Sequence, residues 1–239
     1  MHIANSHHFG LGDSLKYLTV GANLPQIEVS IEDIPVEDQP LHCPPSSSRD
    51  VEWSWTAAGE TAVKPCPHGS TGHARWTCGR PADEDSPVFW ATAQPDMRDC
   101  KSTAMSSLES KVQEGDQETV ISANLAHLTR SKILYGGDVE AAVAIMRTIS
   151  NRIQYLLQTQ GDTFYNKGAY IQEVLLNMVR VGSNLLDETN RQAWNDLHIA
   201  RQMKVATSLL LALEENAFLF VEVTNREEVL VEASKNICK

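Results

Sequence analysis

No part of this 239-residue chain is strongly basic. Lys and Arg number 20 against 31 Asp and Glu, a formal net charge of −11. Without a basic cluster, a phosphate-tracking nucleic-acid surface is excluded, and binding to anionic membrane surfaces is disfavoured. Long apolar runs are missing too. The longest uncharged run in a helical setting, Val205 to Leu213, stops at Glu214 and Glu215. That is far short of the roughly 20 residues a bilayer span needs. The start, Met1-His2-Ile3-Ala4-Asn5, lacks the basic residues, apolar centre and small-residue cleavage site of a secretory signal. There is no Asn-x-Ser/Thr acceptor and no Cys-x-x-Cys pair. In bulk, 42% apolar and 21% charged residues describe an ordinary soluble globular protein of one large or two small domains.

What is present is concentrated between Cys43 and Cys100. Four of the five cysteines (Cys43, Cys66, Cys78, Cys100) and four of the five tryptophans (Trp53, Trp55, Trp76, Trp90) lie there. The segment is rich in turn formers and too poor in apolar runs to build an ordinary core. Small modules of this kind need covalent staples. An even set of four cysteines fits two disulfides and an oxidising compartment, with three possible connectivities. Zinc would want ligands paired at short spacing, which are absent. Cys66 and His68 would share a strand face as nucleophile and base, but a thiol held in a disulfide cannot attack. The tryptophans are expected to supply the missing core, with a ligand groove as the alternative. Two small antiparallel hairpins are the expected scaffold.

Residues 1–41 read as linker. Pro25, Pro35 and Pro40 punctuate it, and acidic residues recur from Glu28 to Asp38. Ile27, Val29 and Ile31 alternate with polar residues, enough for one isolated strand. His2, His7 and His8 read as residues of a mobile tail rather than as a metal site.

From Ser102 the periodicity becomes helical. Leu108 and Val112 mark a short helix ending near Gly115; Val120, Ile121, Leu125 and Leu128 mark a second. Gly136-Gly137 breaks the chain, and Asp138 is the expected N-cap of a third. There Val139, Ala142, Val143, Met146, Ile149, Ile153, Leu156 and Leu157 keep a stripe of period 3.6 up to Gly161. Tyr170, Val174, Leu175, Met178, Val181 and Leu185 repeat it in a fourth. Thr189 and Gln192 suggest a capping box before Trp194 and Leu197. Met203, Ala206, Leu210, Leu213, Ala217 and Phe220 are the expected buried stripe of the last long helix. The expected fold class is therefore α+β, a small stapled β module followed by an all-α bundle.

The cysteine-rich stretch resembles the hormone-receptor (HormR) module of peptide-hormone and adhesion G-protein-coupled receptors. The matching pieces are Trp53-x-x-Thr56-x-x-Gly59, Cys66-Pro67 followed by Gly69 and Gly72, Trp76-Thr77-Cys78, Trp90, and Pro95-Asp96 closing on Cys100. The third disulfide of the peptide-hormone receptors is missing, as in latrophilins. Ser54 stands where the family usually has Pro, and Asp83-Glu84-Asp85 enlarges the loop before Trp90. The resemblance implies the pairs Cys43–Cys78 and Cys66–Cys100.

The helical part resembles subdomain A of the GPCR autoproteolysis-inducing (GAIN) domain in its latrophilin form. It does so through Leu125-Ala126-x-x-Thr129-Arg130, Tyr135-Gly136-Gly137-Asp138-Val139, Trp194, and the run from Leu210 to Leu219. The implied domains are linker 1–41, HormR module 42–101 and GAIN subdomain A 102–239, stopping before the β-rich subdomain. His127-Leu128-Thr129 spells the tripeptide at which GAIN domains cleave themselves, but here it falls in a helical stretch and reads as coincidence. Cys238 is the odd cysteine and is given no chemistry.

The resemblance implies an extracellular piece of a latrophilin-like receptor, without catalytic machinery, cofactor or metal. Its partners would be the β-rich subdomain and the seven-helix membrane domain, neither within this chain, together with a cell-surface protein or peptide ligand. An isolated piece would self-associate through the apolar face left uncovered. Two alternatives follow from the residues: a soluble peptide-binding module using the tryptophan-rich surface, and a cytosolic helical scaffold with reduced thiols.

Overall fold

Up to Ser102 the elements are short, because prolines repeatedly remove the donors that would extend a ladder. The computed structural model describes residues 41–80, 87–131, 133–159 and 167–223, all within the compact unit Pro35–Lys239. The tail histidines, the Ile27–Ile31 strand, all of the linker but Leu41, the Asp83–Asp85 insertion, Gly161 and Cys238 lie outside the described residues.

Strand β1 (His42–Cys43) pairs antiparallel with β4 (Thr56–Ala57). Nested between them, β2 (Ser46–Ser48) and β3 (Val51–Trp53) form a tight hairpin. β5 (Thr61–Pro65) pairs with β7 (His73–Thr77), and β6 (Ser70–Thr71) with β8 (Lys101–Ser102). The described module thus holds four two-stranded ladders where two hairpins were expected. The additional pairings β1–β4 and β6–β8 span only two residues on each strand and join segments distant in sequence.

Disulfides join Cys43 to Cys78 and Cys66 to Cys100. Loops of 35 and 34 residues correspond to about 3–4 kcal/mol each in the chain-entropy model. Around them Val51, Trp53, Ala74, Trp76, Met97 and Cys100 form a small core.

Ser102 ends β8 and also caps α1 (Thr103–Glu114), its hydroxyl accepting from Met105 N at 3.2 Å. Gly115, at φ 87°, closes that helix in the left-handed conformation. There follow α2 (Glu118–Ser131), α3 (Gly136–Thr159), α4 (Lys167–Leu185), a 3-10 turn (Glu188–Asn190), α5 (Arg191–Asn195) and α6 (Ile199–Val223). Helix α3 packs against each of the other five. This central place buries more than one stripe of it: Ala141 and Ile145 join Val139, Ala142, Val143, Met146, Ile149 and Ile153 in the core.

Against α4, α2 is registered by buried polar contacts. Asn177 Nδ2 donates to Ser122 Oγ at 3.2 Å, and Asn184 Nδ2 donates to the Ala126 carbonyl at 3.0 Å and to Thr129 Oγ1 at 3.1 Å. Val120 is exposed, because the buried face of α2 runs through Ile121, Ser122, Leu125 and Thr129.

Three local expectations are corrected. Asp138 does not cap α3 from outside. It lies in the first turn, and its carboxylate reaches back to accept from Tyr135 N at 3.0 Å, the reverse arm of a capping box. The Thr189–Gln192 box does not form; Asp187 caps the 3-10 turn by accepting from Thr189 N at 3.1 Å. In α6 the buried stripe is Val205, Leu209, Ala212, Asn216 and Leu219, whereas Met203 and Leu210 are 66% and 64% exposed. Both stripes follow the same three-and-four spacing, and the one that packs contains Asn216, whose Oδ1 accepts from Ser150 of α3 at 2.9 Å. The Phe220 side chain lies outside the described residues.

Candidate functional site at the module junction

The hairpin β2–β3 turns through Arg49 and Asp50, both with left-handed φ (58° and 57°). A two-residue turn of this hand matches the natural twist of the strands but ordinarily favours Asn and Gly. Here it holds Arg49 at the hairpin tip, against the start of α3 and the residue after α5. The guanidinium donates to both oxygens of Asp196, Nη1 to Oδ1 at 2.7 Å and Nη2 to Oδ2 at 3.0 Å. The two side chains are 9% and 3% exposed, so this ion pair is desolvated. Asp196 Oδ2 also accepts from Gly136 N at 3.1 Å. The Arg49 guanidinium carbon stands 5.7 Å from the centroid of the Tyr135 ring, within cation–π range.

A second carboxylate completes the seam. Asp138 Oδ1 accepts from Ser102 N and Ser102 Oγ, each at 2.8 Å, tying the start of α3 to the start of α1. Gly137 N donates to the Cys100 carbonyl at 3.2 Å, and a Cβ added at Gly137 would meet that oxygen at 2.6 Å. Gln192 Nε2 reaches Gln94 Oε1 at 2.5 Å instead of turning back on its own helix. Burial pushes both the Asp138 and the Asp196 carboxyls up from the ordinary Asp range. The hydrogen bonds each accepts, and for Asp196 the Arg49 charge, pull it partly back.

Trp53 and Trp76 are buried, and the partly buried Trp90 packs against them. Trp76 stacks on Trp90 with centroids 4.4 Å apart, and Trp53 meets both edge-on at 5.5 and 6.1 Å. Their indole N–H groups donate to the carbonyls of Ser48 (Trp53), Thr92 (Trp76) and Pro44 (Trp90). Trp55 is half-buried on the turn between β3 and β4. His68 is exposed, and Cys66 beside it is held in its disulfide.

The other chemical candidates are occupied. Thr129, in the tripeptide that resembles a self-cleavage motif, is 1% exposed, and its hydroxyl donates to the Leu125 carbonyl at 2.9 Å. A groove of about 470 Å³ is lined by Glu118, Thr148, Asn151, Arg152, Tyr155 and Leu156. Its carboxylate already accepts from Tyr170 Oη at 2.5 Å and stands 3.7 Å from Arg152 Nη1. Burial, followed by that neighbouring carboxylate, pushes the Tyr170 hydroxyl up. Among the described residues no group of three or more His, Cys, Asp and Glu is placed to hold a metal, and no helix is long and apolar enough to cross a membrane.

Of these features, sequence reasoning found the cysteines, the tryptophans and Asp138, but not Arg49 or Asp196. Arg49 had one usable signal, the Ser-Arg-Asp turn between two short β-compatible runs. Nothing local points from there to a residue 147 positions away.

Comparison with known proteins places this chain in a family. Residues 101–221 match the family model described as "AGRL2-4 GAIN subdomain A". The chain is 32% identical to Latrophilin Cirl of Drosophila ananassae over 84% of its own length and 14% of that protein's. It is 31% identical to Latrophilin Cirl of Drosophila mojavensis, covering 84% of this chain and 15% of that protein. With Adhesion G protein-coupled receptor L1 of Homo sapiens the identity is 29%, over 82% of this chain and 14% of the receptor. The chain thus spans about one seventh of the length of the relatives it matches. It belongs to the latrophilin-like adhesion G-protein-coupled receptor family and carries the helical subdomain A of the GAIN domain.

Proposed function

We propose that this chain is an extracellular, non-catalytic strut of a latrophilin-like receptor, positioning distal adhesion modules and passing force or ligand engagement toward the membrane domain. The observation that carries this reading is the buried Arg49–Asp196 pair. A strut must transmit load across the boundary between its parts, and a desolvated bidentate pair backed by Asp138 and Gly137 makes that boundary stiff. On this reading residues 42–101 are the HormR module, residues 1–41 a linker and residues from 102 onward the GAIN helical subdomain.

The partner expected along α6 is the β-rich subdomain of the same receptor. Ile199, Met203, Leu210 and Phe218 are all exposed, and an apolar stripe this long favours a cover. The cell-surface protein or peptide ligand would act mainly through modules distal to this one. The mutual packing of Trp53, Trp76 and Trp90 supports a spacer over a tryptophan-lined peptide groove.

The test is a full receptor carrying this segment with Arg49→Met, expressed at matched surface level and pulled through an N-terminal tag by coated beads. Reduced G-protein signalling per surface receptor is the expected result, with the response to a soluble agonist of the membrane domain unchanged. Wild-type signalling under pulling would overturn the strut.

A further inference from the structure

The two disulfides have different surroundings and different duties. Cys43, Cys78 and Cys100 are all 0% exposed, whereas Cys66 is only partly buried at the edge of the module core. Cys43–Cys78 lies inside the module, linking β1 to the end of β7. Cys66–Cys100 closes the seam into the helices. Gly69, three residues beyond Cys66, offers its carbonyl to Thr103 N at 3.0 Å and to Thr103 Oγ1 at 3.1 Å, at the first residue of α1. Strand β6 lies against β8, the Cys100 carbonyl accepts from Gly137 N of α3, and Ser102 holds Asp138. The accessible staple is therefore the one beside the contacts that hold the starts of α1 and α3.

We infer that Cys66–Cys100 is a redox-labile catch: a small dithiol opens it ahead of Cys43–Cys78, and its opening loosens the starts of α1 and α3 while the bundle core stays folded. The chemistry is ordinary exchange. A thiolate of the reductant attacks Cys66 Sγ, the S–S bond breaks, and Cys100 leaves as a thiolate that takes up a proton from solvent. The second thiol of the reductant then attacks the mixed disulfide and releases Cys66. The two electrons come from the dithiol, which ends as its own disulfide. The fully buried Cys43–Cys78 pair gives the attacking thiolate no equivalent approach.

The experiment uses the oxidised full chain with Cys238→Ser, so that no other thiol can exchange. Limiting dithiothreitol at pH 7.5 is followed by alkylation at timed intervals, peptide mapping and amide hydrogen exchange. Alkylation of Cys66 and Cys100 at least tenfold faster than of Cys43 and Cys78 is expected. Amide exchange should rise at least tenfold at Thr103–Met105 and Gly137–Val139, with Ile121–Leu125 and Val174–Met178 still protected. Reoxidation should restore both. Equal rates at the two disulfides, or earlier opening of Cys43–Cys78, would overturn the inference. So would opening of Cys66–Cys100 with unchanged exchange at the helix starts, or with loss of protection throughout the bundle.

Discussion

Arg49 and Asp196, 147 residues apart, meet through two hydrogen bonds of 2.7 and 3.0 Å in a place nearly closed to water. Removing one partner of such a pair leaves the other charge buried alone, at a cost of about 3–5 kcal/mol. Arg49→Met and Asp196→Leu should each lose that much in urea unfolding. The double variant should recover at least half of the loss, because no unpaired charge remains. Additive losses in the double-mutant cycle would contradict the pairing.

Packing at the seam gives a second expectation. At Gly137 an added methyl meets the Cys100 carbonyl, whereas at Gly115 nothing lies within 4 Å and only the positive φ opposes a side chain. Gly137→Ala should cost about 2–3 kcal/mol through overpacking. Gly115→Ala should cost about 1 kcal/mol, from the left-handed backbone alone. Denaturation midpoints at constant m-value provide the comparison.

For Asp138 the pH dependence has a definite sign. Burial raises its pKa in the folded state, so the folded chain binds that proton more tightly than the unfolded chain. From the ordinary Asp pKa of about 4 up to the raised value, this group's contribution falls as pH rises. The stability difference between wild type and Asp138→Asn should therefore shift in favour of wild type as pH is lowered from 7 toward 4. Chemical denaturation at intermediate pH values measures it, and a difference independent of pH would show an unperturbed carboxyl.

The exposed stripe of α6 makes a prediction about the chain on its own. Met203 and Leu210 present apolar surface to water, while Leu209 is 1% exposed. The isolated chain should self-associate, and Leu210→Glu should reduce the scattering mass to that of a monomer without loss of helical signal. Leu209→Ala should cost about 2–5 kcal/mol through the cavity it leaves. A monomer before any substitution would remove the reason to expect a cover on that face.

The same helix shows how far the sequence could be read. Helices α1 and α4 were legible because each has one apolar face whose phase is unambiguous; in α2 Val120 falls outside the buried face, and the central α3 buries Ala141 and Ile145 beside the expected stripe. Helix α6 carries two interleaved stripes of identical period, and nothing local tells which faces inward. The choice is made by α3, whose Ser150 accommodates Asn216, and such a partner is invisible to periodicity. The tryptophan cluster could be anticipated because a stapled segment without apolar runs has little else for a core. The Arg49–Asp196 contact could not, since it depends on how the hairpin and the bundle dock. Asp138 was recognised as a capping residue but placed outside the helix, because a carboxylate three residues in can also cap, by turning back to the Tyr135 N–H ahead of the helix instead of accepting from the first turn.

The central claim is that the stapled module and the helical bundle behave as one stiff unit. Thermal unfolding of the oxidised chain tests it most directly, followed at once by tryptophan fluorescence and by far-ultraviolet circular dichroism. Trp194→Phe confines the fluorescence among the described residues to Trp53, Trp55, Trp76 and Trp90 of the module, and the dichroism reports the helices. The account predicts a single coincident transition, split into two by Arg49→Met. Two transitions about 10 °C or more apart in the chain with Arg49 intact would contradict it.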